Sequence, residues 1–163
     1  MGTRRTAREL ALKFLYQTEF NSESPDLELN PFCKRANVSE EVHNFTQALI
    51  KKLLLYEKEV DELLKKVSAH WAPDRMSVID KNIIRLGICE LLFDSTTPPK
   101  VVINEAVEIA KKFGTEESPD FINGILDKIL KGTKAVSYTH LRAHETDSYL
   151  VCRLLLEKSS PTV

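Results

Sequence analysis

Apolar residues recur along this chain at helical intervals and not at every second position. The first such stripe runs from Thr3 to Phe20 and consists of Ala7, Leu10, Ala11, Phe14, Leu15 and Thr18. The hydroxyl of Thr3 is suited to cap this helix by accepting a hydrogen bond from a free amide of the first turn. The polar stretch 21–37 is predicted to be a loop, with at most a short turn near Phe32.

A second helical pattern begins after Ser39, a good N-cap residue, and continues to Val67. About 29 residues is long for one helix of a globular domain, so we expect two helices or a bend within Leu54–Glu57. Ser77 followed by Asp80 indicates the start of the next helix, because the two form a variant of the capping box.

Two further helices are predicted in the second half of the domain. One covers about Lys100–Phe113 and ends at Gly114, where a left-handed residue is expected. The other begins at Ser118-Pro119, a cap followed by a first-turn proline, and ends at Gly132. Because no segment of residues 1–134 has the period of a strand, the predicted fold class is all-α, a compact helical bundle of about six or seven helices.

The composition is typical of a folded domain. Of the 163 residues 42% are apolar, and 23 basic residues nearly balance 24 acidic ones. These values argue against disorder and against a polycation, so a nucleic acid would have to be bound by a local basic patch. No apolar run approaches the roughly 20 residues of a membrane span, and the N-terminus has no secretory signal.

Cysteine and histidine residues offer little chemistry. Cys33, Cys89 and Cys152 form no CxxC pair, so they are interpreted as reduced thiols of a cytoplasmic protein, without a disulfide framework or a zinc site. His140 and His144 have a spacing known from metal ligands, but no acidic residue completes a known arrangement. Since the sequence also has no glycine-rich phosphate loop and no GxSxG motif, we predict no enzyme, no catalytic residue, no metal and no cofactor.

A local basic patch lies at the N-terminus. Residues 1–13 contain one acidic residue, Glu9, and four basic ones, which gives a net charge of +3; the basic residues are Arg4, Arg5, Arg8 and Lys13. The three arginines are predicted to project away from the apolar stripe. Two interpretations are open at this point, contact with the phosphates of a nucleic acid and a solvated helix end.

A glycine inside the last predicted helix is also unusual. Gly124 follows Asn123 in the middle of the apolar stripe, and glycine at such a position costs about 1 kcal/mol relative to alanine. Close approach of another helix, or contact with the backbone of a ligand, would explain why glycine is present.

Three stretches of the sequence are specific enough to be compared with a known family. They are RRTARELALKFLYQ, IIRLGICELLF and KVVINEAVEIAKKFGTEESPDFINGILDKIL. In this order and spacing they resemble the NusB family of bacterial transcription antitermination factors over about residues 1–131. The resemblance implies a non-enzymatic helical bundle that binds boxA-type single-stranded RNA together with the ribosomal protein NusE. It also implies a place in the RNA polymerase complex that suppresses termination during rRNA transcription, and it is compatible with a homodimer.

The resemblance further implies roles for individual residues. Those expected to bind RNA are Arg4, Arg5, Arg8, Tyr16, Arg85, Lys100, Phe121 and Asn123. Asp80 is expected to face NusE. Arginines hold phosphates through paired donors, and flat rings stack on unpaired bases. Thr6 interrupts the basic run and Asp120 stands where a family member has a lysine, so attraction of phosphate is expected to be weaker there.

The end of the chain differs in character from the rest. Residues 135–163 resemble nothing in the family and look like the translation of a sequencing adapter, although residues 141–157 can form a helix. The predicted organisation is therefore a NusB-like RNA-binding domain, residues 1–134, followed by a non-family tail, residues 135–163. The alternative is a genuine C-terminal interaction helix.

Two other functions stay open. The N-terminal domains of some rRNA cytosine methyltransferases resemble NusB, but the 29 residues after the domain are too few for the cofactor-binding domain of such an enzyme. A helical adaptor that binds only protein would keep all of its binding after Arg4→Ala and Arg5→Ala.

Overall fold

The computed structural model describes residues 2–21, 25–67, 76–94 and 96–137. In these ranges the backbone forms seven α-helices and no strand, which confirms the all-α class. The helices are α1 (Thr3–Asn21), α2 (Pro25–Arg35), α3 (Glu40–Leu55), α4 (Glu57–Val67), α5 (Val78–Phe93), α6 (Pro99–Phe113) and α7 (Ser118–Ser137). Within the described part of the chain, no helix is long and apolar enough to span a bilayer.

α1 places its predicted stripe in the core. Ala7, Leu10 and Phe14 are buried, together with the other predicted members except the half-buried Thr18. The cap is one residue earlier than predicted, because the amide of Thr6 donates to the carbonyl oxygen of Gly2 at 3.1 Å and Thr3 already belongs to the helix.

α2 corrects the prediction of a loop. Leu29 and Cys33 are buried, and the ring of Phe32 lies edge-on to that of Phe14 with 5.2 Å between their centroids. Only one short apolar stripe identifies this helix, and Pro31 lies within it, so the local pattern resembles a turn. Packing against α1 and α3 decides its conformation.

The long second pattern is two helices, as predicted. Tyr56 separates α3 from α4 and donates its amide hydrogen to the carbonyl oxygen of Lys52 at 3.1 Å. The predicted caps are also confirmed, because the hydroxyl of Ser39 accepts from the amide of Val42 and the hydroxyl of Ser77 accepts from the amide of Asp80.

α5 is the centre of the bundle. Every residue from Asn82 to Glu90 is buried, and the helix packs against α1, α3, α4, α6 and α7. A Cβ atom at Gly87 would lie 2.8 Å from Leu126 Cδ1, so glycine allows α5 and α7 to approach closely. The sequence had suggested such an approach at Gly124, but a Cβ atom there would meet nothing within 4 Å.

The ends of α6 and α7 differ from the prediction. Gly114 follows α6 as expected but is extended, with φ −96° and ψ −165°, and is not left-handed. The hydroxyl of Ser118 accepts from the amide of Thr115 at 2.9 Å, so it closes the connection between the helices and does not cap α7. α7 also continues through Gly132 to Ser137, because no described glycine adopts the positive φ that ends a helix. Residues 138–163 of the predicted tail, with His140, His144 and Cys152, lie outside the described residues.

Candidate nucleic-acid interface

Arg4 is the exposed member of the N-terminal arginine cluster. Its guanidinium donates to the hydroxyl oxygen of Thr97 at 3.3 Å and lies 5.4 Å from the centre of the Phe45 ring. Thr97 precedes Pro98, the N-cap residue of α6, and the first turn of α6 carries the exposed Lys100. The start of α1 and the start of α6 therefore lie side by side, and they place two exposed cations in one region.

Arg5 lies half buried between α1 and α6. Its Nε and Nη2 atoms are each 2.8 Å from Glu105 Oε2, and the exposed fractions of the two side chains are 35% and 17%. The hydrogen bond to Glu105 and the charge of that carboxylate raise the pKa of Arg5, and both effects exceed the opposing effect of desolvation. Arg5 is thus a reachable cation whose charge is already compensated.

Arg8 does not project into solvent, so that prediction is wrong. The residue is 4% exposed, and its Nε and Nη2 atoms donate to the two carboxylate oxygens of Glu90 at 2.8 and 2.7 Å. Its guanidinium also lies 5.4 Å from the centre of the Phe45 ring. Arg8 is buried because of a tertiary contact. α5 places the carboxylate of Glu90 against the side of α1 that the sequence predicted to be exposed to solvent.

Arg85, near the middle of α5, is also buried. It is 6% exposed, donates through Nη1 to Asn82 Oδ1 at 2.8 Å and through Nη2 to Glu57 Oε1 at 3.2 Å. Its Nε lies 3.0 Å from Asp61 Oδ1, an ion-pair distance without the direction of a hydrogen bond. The structure therefore places Arg85 among the carboxylates of α4, apart from Arg4 and Lys100.

Lys100 and Asn123 line one groove between α6 and α7, with a volume of about 450 Å³. Asn104 lies on the same groove, and Asp120 forms part of its wall. Phe121 lies in the neighbouring groove between α4 and α7, whose wall also includes Asp120. Asp120 thus separates two adjacent grooves, and a ligand that crosses α7 could reach both Asn123 and Phe121.

Tyr16 and Asp80 lie at the opposite end of the α1–α5 pair. Tyr16 is 45% exposed and about 16 Å along α1 from Arg5, at 1.5 Å per residue. An ion pair of 3.0 Å between Lys81 and Glu19 joins the end of α1 to the start of α5, where Asp80 lies. Asp80 is half buried, and its Oδ1 atom has no hydrogen-bond partner within the described ranges.

Two residues of this region were missed by the sequence analysis. Phe20 is 61% exposed and makes an edge-on contact of 5.2 Å with the ring of Tyr16. Its position four residues after Tyr16 and off the apolar stripe is a signal that could have identified it. Glu105 had no such signal, because its partner Arg5 is 100 residues away in the sequence.

The thiols in the described part of the chain are poorly suited to nucleophilic chemistry. Cys33 and Cys89 are buried and unpaired. Desolvation, and to a lesser extent the charge of Glu90, raises the pKa of Cys89. Among the described residues no three His, Cys, Asp or Glu side chains come close enough to hold a metal ion.

The sequence was compared with models of known protein families. The sequence model of the NusB family matches residues 5–131. The chain belongs to the NusB family. It is 46% identical over 131 residues to the transcription antitermination protein NusB of Desulforapulum autotrophicum, which covers 79% of this chain and 92% of that relative. The family resemblance of the three sequence stretches is confirmed.

Solved structures of the family have the same fold. NusB of T. maritima has a TM-score of 0.69 and 35% identity, with 78% of this chain and 90% of that chain covered. A structure of the antitermination factors NusB and NusE in complex with dsRNA has a TM-score of 0.71 and 26% identity, with 80% and 98% covered. The match to the family model ends at residue 131, within α7, so residues 138–163 lie outside both the match and the described structure.

Proposed function

We propose that this protein is a transcription antitermination factor that binds boxA-type single-stranded RNA together with NusE, within the RNA polymerase antitermination complex. The observation that carries the proposal is membership of the NusB family over residues 5–131, combined with exposed cations at the adjoining starts of α1 and α6. The activity requires no catalytic group, because recognition and assembly are binding events.

The proposed RNA surface begins at Arg4, Arg5 and Lys100. These cations attract the phosphate backbone, and such attraction gives affinity that falls with salt. The RNA would then follow the α6–α7 groove to Asn123, whose amide can donate to and accept from a base edge. Phe121, across Asp120 in the next groove, offers a ring on which an unpaired base can stack.

Arg8 and Arg85 support this surface indirectly. Both are buried and bound to carboxylates, and exposing Arg8 to RNA would leave the carboxylate of Glu90 unpaired in the interior. Arg8 fixes α1 against α5, and through that contact it holds Arg4 and Arg5 at the start of α6. Arg85 fixes α4 against α5 at the end where Asp80 lies.

The proposed NusE surface lies at this second end. Asp80 contributes a carboxylate suited to a basic ribosomal protein, and Glu19 lies beside it through the ion pair with Lys81. Tyr16 and Phe20 form an exposed aromatic pair on the same part of α1. Tyr16 lies about 16 Å from Arg5 along the helix, so its predicted contact with RNA requires the strand to extend along α1, and the same ring is suited to contact the protein partner.

A titration of labelled boxA RNA with and without NusE tests the proposal. We expect measurable binding that weakens as salt increases, and a lower Kd when NusE is present. The same strand in a duplex is the control, because stacking on Phe121 requires unpaired bases. An unchanged Kd upon addition of NusE would contradict the antitermination function, and equal binding of the duplex would contradict the single-stranded mode.

A further inference from the structure

The carboxylate of Glu105 occupies the donors of Arg5 that a phosphate would take. Arg5 Nε and Nη2 both point to one oxygen, Glu105 Oε2, at 2.8 Å. An arginine uses the same two donors to hold a phosphate in the fork geometry. An RNA phosphate can therefore bind Arg5 fully only after Glu105 has released it.

We propose that Glu105 is an autoinhibitory residue, which competes with RNA phosphate for Arg5 and so limits the affinity of this surface for polyanions. The inference rests on the proposed RNA-binding function. Exposure of the pair makes exchange feasible, since the Arg5 side chain is 35% exposed and only Glu105 must turn aside. The pair of Arg8 with Glu90 cannot exchange in this way, because both side chains are 5% exposed or less.

The neighbouring cations differ in how their charge is compensated. Within the described ranges, Arg4 and Lys100 have no carboxylate at ion-pair distance, whereas Lys112 is held by Glu9 at 2.7 Å. An approaching RNA therefore first meets the uncompensated charges of Arg4 and Lys100. Arg5 then exchanges Glu105 for an RNA phosphate. The freed carboxylate of Glu105 attracts cations from solution, and this uptake reduces the net release of counterions when RNA binds.

Glu105→Gln tests this competition with little change in shape. Glutamine keeps a neutral acceptor for Arg5 but loses the charge that holds it. We expect boxA-type RNA to bind the variant roughly two- to fivefold more tightly at low salt, the range for a partly exposed ion pair. The slope of log affinity against log salt should steepen by up to about 0.7, the value for one phosphate of a single strand.

Two matched variants separate competition for Arg5 from a general loss of negative charge. Glu108→Gln removes the same charge one helical turn away, where the partner is Lys111 at 3.3 Å, and should give a smaller gain. Glu105→Gln in an Arg5→Ala background should give no more gain than Glu108→Gln, because the donors are gone. The unfolding midpoint of each variant is measured, and Glu105→Ala serves as a second variant with the same expected gain.

The outcomes distinguish this inference from the proposed function. If the wild type binds RNA with salt-dependent affinity but Glu105→Gln and Glu105→Ala bind no more tightly than Glu108→Gln, the competition is refuted and RNA binding stands. A gain that persists without Arg5 also refutes it. If neither the wild type nor any of these variants binds RNA, the proposed function fails, and the inference fails with it.

Discussion

Arg5 and Arg8 lie on the same helical turn of α1 and each is bound by a glutamate, yet the two ion pairs have opposite surroundings. Arg5 and Glu105 are 35% and 17% exposed, whereas Arg8 and Glu90 are 5% and 3% exposed. An exposed pair contributes little and can exchange partners, while a buried pair cannot lose one member without a large cost. One arginine is therefore available to a ligand, and the other holds the helix in place.

The arginines of a basic motif therefore cannot all be assigned the same role. The residue types and the spacing of Arg4, Arg5 and Arg8 suggest one phosphate-binding cluster. Packing divides it, because α5 presents Glu90 to one side of α1 and α6 presents Glu105 to the next. The role of each arginine then depends on how exposed its side chain is. That exposure is determined by residues far away in the sequence.

The largest effect is expected for Arg8→Ala. Removal of the arginine leaves the carboxylate of Glu90 buried and unpaired, which should lower the free energy of unfolding by about 3–5 kcal/mol. Arg5→Ala, the matched control, should lower it far less, because this ion pair is exposed to solvent. Urea denaturation measures both values. Equal losses in the two variants would remove the distinction between the pairs.

An intermediate effect on stability is expected when alanine replaces either of two glycines, one in the interior and one at the surface. Gly87→Ala places a Cβ atom 2.8 Å from Leu126 Cδ1 and should lower the free energy of unfolding by about 1–3 kcal/mol. Gly124→Ala meets no atom within 4 Å and should raise it by about 0.5–1 kcal/mol. Thermal or urea unfolding compares them. A stabilised Gly87→Ala variant would show that α5 and α7 do not approach as closely as described.

The smallest effect is expected for deletion of residues 138–163. Among the residues whose burial is described, the last buried member of the core is Ile129 in α7, and Leu130 packs against the core. Neither the unfolding midpoint nor the affinity for RNA should change measurably. A loss of the unfolding transition in the shortened protein would mean that the deleted residues contribute to the core, contrary to their interpretation as a translated adapter.

The sequence predicted most helices because an apolar stripe is a local signal. The stripes of α1 and α7, the break at Tyr56 and the caps at Ser39 and Ser77 all depend on residues within a few positions of one another. α2 was missed because its stripe is short and contains Pro31, so its conformation depends on contacts with other helices.

The site was less predictable than the fold. The partners that bury Arg8 and Arg85 come from other helices, 82 and 28 residues away in the sequence for Glu90 and Glu57. No periodicity links such residues.

The most direct test of the account is the salt dependence of RNA binding by the Arg4→Ala, Arg5→Ala double variant in the presence of NusE. The matched control is Lys13→Ala, which removes an exposed cation of α1 about 12 Å from Arg5. We predict that the double variant binds boxA-type RNA more weakly and with a slope flatter by about one unit, while Lys13→Ala has a nearly wild-type slope. A double variant that keeps the full slope and affinity would contradict the assignment of the RNA surface to the start of α1.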